Sequence, residues 1–243
     1  MNIFMLSNAK VPNNTRILEY ALPDIIDSFV REKVKNVVVI TYAVVRISAL
    51  ARVNDVKKSF ADLDLDIKGI EEFDDPVDAI YQADAIMVSG GNTWQLNKML
   101  HDNGLIEPIR DVVLNHNVTY VGWSAGSLVC CPTICTTNDM CPVSSAITPA
   151  LGFVPFQINA HYIDSRLHGH MGETRDERIE EYCILNPHSS VLGIAEGTWL
   201  HLNDNGLHYH APQQHDIAYF KYGQSKQWVA YDEDMNRFMQ FRR

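Results

Sequence analysis

Short β-branched apolar runs alternate with helical patterns along the first half of the chain, and this alternation constrains the fold more than any other feature. The runs are too short for buried helices, and they cover residues 2–7, 36–41, 65–70, 85–90 and 119–123. Helical spacing of apolar residues occupies segments between them, including residues 77–82, 93–101 and 106–115. This repetition of strand and helix predicts an α/β fold with a parallel sheet covered by helices on both faces.

The pattern changes in the second half of the chain. Residues 132–176 are rich in Pro, Thr, Asn, Gly and His, which predicts long loops. A helix is predicted over residues 173–186, a strand over residues 191–197, and short antiparallel strands with Asn-Gly turns in the tail. No repeat or linker divides the sequence, so we expect residues 1–243 to form a single domain.

Charge and cysteine content exclude several classes of function. The net charge of −10 disfavours nucleic acid as a partner, and an anionic substrate would need a local arginine. There is no recognisable signal peptide and no apolar run of the roughly 20 residues that span a bilayer, so we expect a cytoplasmic protein without membrane contact. The five cysteines include no C-x-x-C pair, which indicates free buried thiols rather than a zinc site. No metal or cofactor is expected.

The segment "GWSAG" places Ser124 between two glycines, after a predicted strand. A serine on a sharp strand-to-helix turn exposes its hydroxyl as a nucleophile, and the backbone N–H of Ala125 would then point at a developing oxyanion. The spacing alone leaves a second interpretation open, in which Ser124 is a small residue in a tight corner.

A second glycine-containing loop, "VSGGNTWQL", also follows a predicted strand. Since ligands gather at the carboxyl ends of parallel strands, this loop and the Ser124 turn should lie together. Gly91 could supply a second oxyanion N–H, although the loop also fits a Gly-Gly turn capped by Asn92 or Thr93. Nucleotide binding is disfavoured because neither phosphate-binding glycine motif is present.

A nucleophilic serine needs a base and an orienting acid. Among the ten histidines, His161 follows a strand-like segment and begins a polar loop, and Glu196 follows the apolar run "VLGIA". His161 also fits an ordinary loop residue, and Glu196 a turn-forming acid. A metal pair of His168 and His170 is conceivable but has no defined third ligand.

Six motifs occur together in an order and spacing that resemble the peptidase E family of serine peptidases, the α-aspartyl dipeptidases. They are "GGNTWQL", "GWSAG", "CPTICTTNDM", "FQINAHY", "GHMGETRDERI" and "GIAEGTWL". The resemblance covers essentially the whole chain. It implies a parallel-sheet three-layer sandwich similar to class I glutamine amidotransferases, with a short antiparallel C-terminal extension. It also implies hydrolysis of Asp-X dipeptides without a cofactor.

The resemblance also implies roles for individual residues. Ser124 would be the nucleophile, His161 the base and Glu196 the acid that orients it, while Gly91 and Ala125 would supply the oxyanion N–H groups. The chain order Ser, His, Glu differs from that of α/β-hydrolases and argues against an esterase or lipase.

Substrate binding is expected to use residues of two further motifs. Arg175, in "GETR", suits the bidentate recognition of the aspartate carboxylate, with Glu173 beside it for the substrate ammonium. The same segment also fits a capped helix start with a solvated charged face. Asp139, in "TTNDM", is expected to shape the pocket.

Two departures from the family pattern affect substrate preference. Cys135 stands where the family has a basic residue, and "TYAVVRISALARVN" is an untypical loop after the second strand. A cyanophycinase-like β-aspartyl peptidase and a non-catalytic binding protein on the same fold are the alternatives.

Overall fold

Two β-sheets and their covering helices make up the computed structural model, which describes residues 1–165 and 171–240. The strands are β1 Ile3–Leu6, β2 Asn36–Ile40, β3 Asp66–Gly69, β4 Ala85–Val88, β5 Thr119–Trp123, β6 Gln157–Asn159, β7 Ser190–Gly193, β8 Trp199–Asn203, β9 Gly206–His210, β10 Ile217–Lys221 and β11 Gln227–Val229. The α-helices are α1 Leu22–Arg31, α2 Ala49–Ser59, α3 Pro76–Tyr81, α4 Thr93–Asp102, α5 Ile106–Asn115, α6 Ala125–Leu128 and α7 Arg175–Leu185, and two 3₁₀ helices cover Ile70–Glu72 and Met235–Met239.

The larger sheet has the strand order β3-β2-β4-β5-β1-β8-β9. Its first five strands are parallel, which confirms the predicted α/β fold with a mostly parallel sheet. The tail strands are antiparallel, as predicted, and they are divided between the two sheets. Strands β8 and β9 extend the larger sheet, whereas β10 and β11 join β7 and β6 in a second sheet of order β11-β10-β7-β6.

Alternate side chains of the larger sheet enter two separate hydrophobic clusters. In β1, Ile3 and Met5 belong to one cluster, and Phe4 and Leu6 belong to the other, because successive strand residues point to opposite faces. Helices α3, α4, α5 and α6 pack on the first cluster, and α1 and α2 on the second. Helices therefore cover both faces of the sheet and leave the carboxyl ends of its strands for loops.

Helix α2 is the main element for which the sequence analysis has no counterpart. It buries only a narrow stripe, Val53, Val56 and Ser59, and its remaining surface is partly or fully exposed. A stripe this narrow gives a weak helical pattern. The start of the helix is fixed by Ser48, whose side chain accepts a hydrogen bond from the N–H of Ala51 at 3.1 Å.

The cysteines are free, but the prediction that they are all buried is wrong. Cys135 and Cys141 are exposed because they lie in the irregular segment before β6, while the other three are buried. Burial raises the pKa of Cys131 to about 12, so this thiol stays protonated and unreactive at neutral pH. Within residues 1–165 and 171–240, no helix has both the length and the apolar character needed to cross a membrane.

Candidate active site

The carboxyl ends of β1, β4 and β5 meet at one edge of the larger sheet. The register pairs Met5 and Val88 with Gly122, so the residues that follow these strands emerge side by side. Ser124 follows β5, and an ideal Cβ placed on Gly90 would lie 2.9 Å from the Cβ of Ser124. The structure therefore brings the two glycine-containing loops together, as their positions after parallel strands predict.

Ser124 occupies a backbone conformation that L-residues rarely adopt, with φ 52° and ψ −112°. Its N–H donates to the carbonyl of Leu6 at 2.9 Å, and its own carbonyl accepts from the N–H groups of Ser127 and Leu128 at 2.9 and 3.0 Å. These bonds hold the turn between β5 and α6 in a strained form. A strained strand-to-helix turn of this kind presents the serine hydroxyl to the surface.

The glycines of "GWSAG" allow backbone segments to pack closely around this turn. A Cβ at Gly122 would lie 2.3 Å from the carbonyl oxygen of Gly126, and a Cβ at Gly126 would lie 2.1 Å from that of Val88. Both distances are far inside van der Waals contact. The glycines thus bring α6 against β4 and β5.

Three side chains form a hydrogen-bonded chain at this turn. His161 Nε2 lies 2.9 Å from Ser124 Oγ, and His161 Nδ1 lies 2.7 Å from Glu196 Oε1. A carboxylate accepts only, so Nδ1 carries the proton in the neutral ring and Nε2 is free to accept from the serine hydroxyl. The side chains of His161 and Glu196 are 40% and 52% exposed, so solvent reaches this chain of groups.

Ser7 positions His161, and the sequence analysis does not identify it. It follows β1, is completely buried, accepts the backbone N–H of His161 at 2.9 Å and donates to the carbonyl of Ile194 at 3.0 Å. His161 itself has φ 54°, so its backbone is also held in an uncommon conformation. The sequence feature that could identify Ser7 is its position directly after the fully apolar strand β1. Polar residues at that position lie at the edge of the sheet where the candidate site is.

Glu196 lies in a turn between β7 and β8 rather than at the end of a strand, because β7 ends at Gly193. The turn is fixed by Gly197, whose φ is 79° and whose N–H donates to Asn8 Oδ1 at 2.9 Å. The Tyr20 side chain is partly buried, its phenol donates to the carbonyl of Asn8 at 2.7 Å, and it lies near this carboxylate. Burial, and next the charge of Glu196, raise the pKa of Tyr20, so the phenol remains neutral beside the acid.

The two residues expected to supply oxyanion N–H groups are Ala125 and Gly91. Ala125 is the first residue of α6, where a helix leaves its N–H without an internal partner. Gly91 has φ 152°, and a Cβ there would lie 2.0 Å from the carbonyl oxygen of Ala43, so only glycine fits. Within the described part of the chain, neither N–H donates a hydrogen bond. Both are available to a ligand oxygen.

Arg175 is connected through Asn159 to the segment that carries His161. Its Nη1 donates to Asn159 Oδ1 at 3.2 Å, and Asn159 is two residues before His161. The guanidinium is half-buried, and burial first, then the charge of Arg178, lower the pKa of Arg175. A cation that is partly desolvated and next to a second cation is stabilised by a bound anion.

Glu173 does not join this group. It is exposed, and its Oε2 lies 3.5 Å from Arg178 Nε. Thr174 and Glu177 form a reciprocal capping box at the start of α7, so the capped helix start expected for this segment is present. The capping box therefore does not exclude a binding role for Arg175, which is half-buried at the first position of the same helix.

Asp139 holds the start of α4. Its Oδ2 accepts from the N–H and hydroxyl of Thr93 at 2.7 and 2.6 Å, and from the Thr137 hydroxyl at 3.1 Å. A carboxylate at a helix N-terminus is stabilised by the unpaired N–H groups there. Asp139 also lines a cavity together with Gly91.

No group of three or more His, Cys, Asp or Glu side chains suited to a metal ion occurs in residues 1–165 and 171–240. The candidate metal pair His168 and His170 lies outside the described residues.

Sequence comparison identifies relatives along most of the chain. The model of peptidase family S51 matches residues 3–210. A peptidase E from Nostoc sp. is 37% identical over 219 residues, which cover 88% of this chain and 89% of that protein. A peptidase E from Shigella sonnei is 38% identical over 200 residues, which cover 82% of this chain and 86% of that protein.

Structural comparison gives the same fold. The crystal structure of a peptidase from an acI-B1 actinobacterium superposes with a TM-score of 0.67 at 17% identity and covers 97% of this chain and 96% of that one. At this identity the likeness supports the architecture alone, and it agrees with a mixed α/β fold around a mostly parallel sheet.

Proposed function

The chain belongs to peptidase family S51, and on that premise we propose that it is a serine dipeptidase that hydrolyses Asp-X dipeptides through Ser124, His161 and Glu196. The observation that carries the proposal is the hydrogen-bonded chain of hydroxyl, imidazole and carboxylate at 2.9 and 2.7 Å. These distances suit proton transfer from a nucleophile to a base that a third group orients.

The mechanism uses these groups in two stages. Ser124 Oγ attacks the scissile carbonyl while His161 Nε2 takes its proton, and Glu196 stabilises the imidazolium that forms. The N–H groups of Gly91 and Ala125 donate to the oxyanion. His161 then protonates the leaving amine, and an acyl-enzyme remains on Ser124. Water, deprotonated by His161, attacks this ester and releases free aspartate.

Specificity for aspartate rests on Arg175 in this proposal. An N-terminal aspartate presents a carboxylate near its ammonium, and a half-buried guanidinium can bind that carboxylate with two parallel hydrogen bonds. A local cation is needed because the chain carries a net charge of −10 and repels anions at long range. Glu173 is the carboxylate we propose for the substrate ammonium, and we propose that Asp139 shapes the pocket.

A panel of dipeptides tests the substrate. We expect Asp-Leu to be hydrolysed at least about tenfold more efficiently, in kcat/KM, than Asn-Leu, Glu-Leu and the β-linked isomer of Asp-Leu. The amide loses the charge that the guanidinium pairs with, and the longer or rearranged backbones displace the scissile carbonyl from Ser124. Preference for the β-linked isomer would instead identify a β-aspartyl peptidase, and hydrolysis of none of the four would favour a binding protein.

Chelation provides a second test. We expect activity to be unchanged after incubation with EDTA and gel filtration, because the triad and the two N–H groups supply the nucleophile and the charge stabilisation from the protein. The measurement is the rate of Asp-Leu hydrolysis before and after treatment, with a mock-treated sample as the control. Loss of activity that added zinc restores would contradict the proposal and point to His168 and His170.

A further inference from the structure

A cavity of about 380 Å³ lies beside the loop that carries Gly90 and Gly91. The remaining lining residues come from three separate segments of the chain. They are Ala43, Val44, Val45, Arg46, Ile47, Arg52, Asn92, Asp139 and Pro142. The cavity adjoins the nucleophile, because Gly90 packs against Ser124.

Two arginines line this cavity, and neither lies in close contact with a carboxylate; the one carboxylate in the lining, Asp139, accepts from Thr93 and Thr137. The side chain of Arg52 is 18% exposed, and its nearest carboxylate contact is Asp55 Oδ2, at 4.0 Å from Nη1. Its Nε is buried without a hydrogen-bond acceptor among the described residues. Arg46 is exposed and forms no ion pair with any residue in the described ranges. The guanidinium of Arg52 is thus largely desolvated and has only a distant carboxylate, and an anion bound in the cavity would stabilise its charge.

The other walls of the cavity are largely apolar. Val45 and Ile47 are 66% and 45% exposed, an unusual state for two neighbouring branched side chains, and Val44 and Pro142 also face the cavity. The segment from Ala43 to Ile47 is fixed to the loop of Gly90, Gly91 and Asn92, which we call the oxyanion loop, since the N–H of Asn92 donates to the carbonyl of Ala43 at 2.8 Å. The cavity thus combines apolar surface with a cation next to the reacting groups.

We propose that this cavity is the subsite for the second residue of the dipeptide, in which Arg52 binds the terminal carboxylate and Val45 and Ile47 contact an apolar side chain. The proposal rests on the proposed dipeptidase function. In a dipeptide the terminal carboxyl carbon is two bonds from the scissile nitrogen, so its charge must lie close to the oxyanion loop. A longer peptide or an amide has no charge at that position. Arg52 then selects dipeptides, while Arg175 selects aspartate.

Paired substrates separate this subsite from the catalytic groups. We expect the wild type to prefer Asp-Leu over aspartyl-leucinamide, which lacks only the terminal charge, by about tenfold or more in kcat/KM. Arg52→Met keeps most of the side-chain volume and should lower kcat/KM for Asp-Leu by about tenfold or more. The same variant should change kcat/KM for aspartyl-leucinamide by less than about threefold. As a control, Lys57→Met removes one positive charge from an exposed position of α2, and it should leave kcat/KM for both substrates unchanged.

A second variant keeps the test decisive if Arg52→Met does not fold. Ile47→Asp places a negative charge at a half-exposed wall position, and it should disfavour Asp-Leu relative to the amide by about tenfold. Equal changes for both substrates, or none, in the folded variants would overturn the subsite. Failure of the dipeptidase function itself looks different, because the wild type would then hydrolyse neither substrate.

Discussion

Ser124→Ala is expected to fold as the wild type does and to lose Asp-Leu hydrolysis by on the order of 10⁴-fold or more in kcat. The alanine keeps the backbone and the Gly91 and Ala125 N–H groups but removes the only atom that can form the acyl-enzyme in the proposed mechanism. Substrate binding and the oxyanion donors should leave a small residual rate over water. The kcat comparison needs active-site titration, so that trace wild-type contamination does not set the lower limit.

Labelling gives an independent readout of the same serine. A fluorophosphonate should modify the wild type once, at Ser124, and should not modify Ser124→Ala. Ser144→Ala, which removes a hydroxyl from an exposed loop position, is the matched control and should retain full activity and labelling. Activity of Ser124→Ala within tenfold of the wild type would refute the catalytic role of this serine.

Arg175→Met is expected to lower kcat/KM for Asp-Leu by about 10²-fold and to narrow the gap between Asp-Leu and Asn-Leu. The guanidinium is half-buried and donates to Asn159, so the pairing of its charge with a substrate carboxylate is only partly screened by water. Methionine keeps the apolar stem and removes the charge. The kcat/KM for Asn-Leu, whose side chain is neutral, should therefore fall much less than that for Asp-Leu.

The neighbouring Arg178 provides the control for this variant. It is exposed and pairs with Glu173, so Arg178→Met should change kcat/KM by less than about threefold. If Arg175→Met lowers kcat/KM for Asp-Leu and Asn-Leu equally, or for neither, Arg175 does not bind the aspartate carboxylate. The next candidates are then Arg178 and Arg166, the latter outside the described residues.

The parts of the structure that local sequence determines could be predicted. Runs such as residues 36–41 predict buried strands because a short run of β-branched residues is typical of a strand in a parallel sheet. The motif "GWSAG" predicts the strained turn because all of its residues are adjacent in the sequence. The pairing of Ser124 with His161 and Glu196 is different. Residue spacing leaves this pairing open and the family resemblance implies it, while the structure places the three side chains at hydrogen-bonding distances.

The parts that depend on contacts between distant segments could not be predicted. Ser7 looks like a strand-ending hydroxyl until the fold places it against the backbone of His161, 154 residues away. Arg46 and Arg52 lie in the segment after the second strand, which the sequence analysis identifies only as untypical of the family. Their position beside Gly91 follows from the β2–β4 pairing and from α2, a helix with too narrow a buried stripe to identify by periodicity.

The backbone of Ser124 has a consequence for how such an enzyme evolves. A non-glycine residue held at φ 52° and ψ −112° costs on the order of 1 to 3 kcal/mol, so the proposed nucleophile is retained at the expense of folding free energy. Glycine would adopt the same dihedral angles more easily, which means that an inactive protein is the more stable one at this position. Drift under selection for stability alone should therefore lead to loss of the nucleophile while the fold persists.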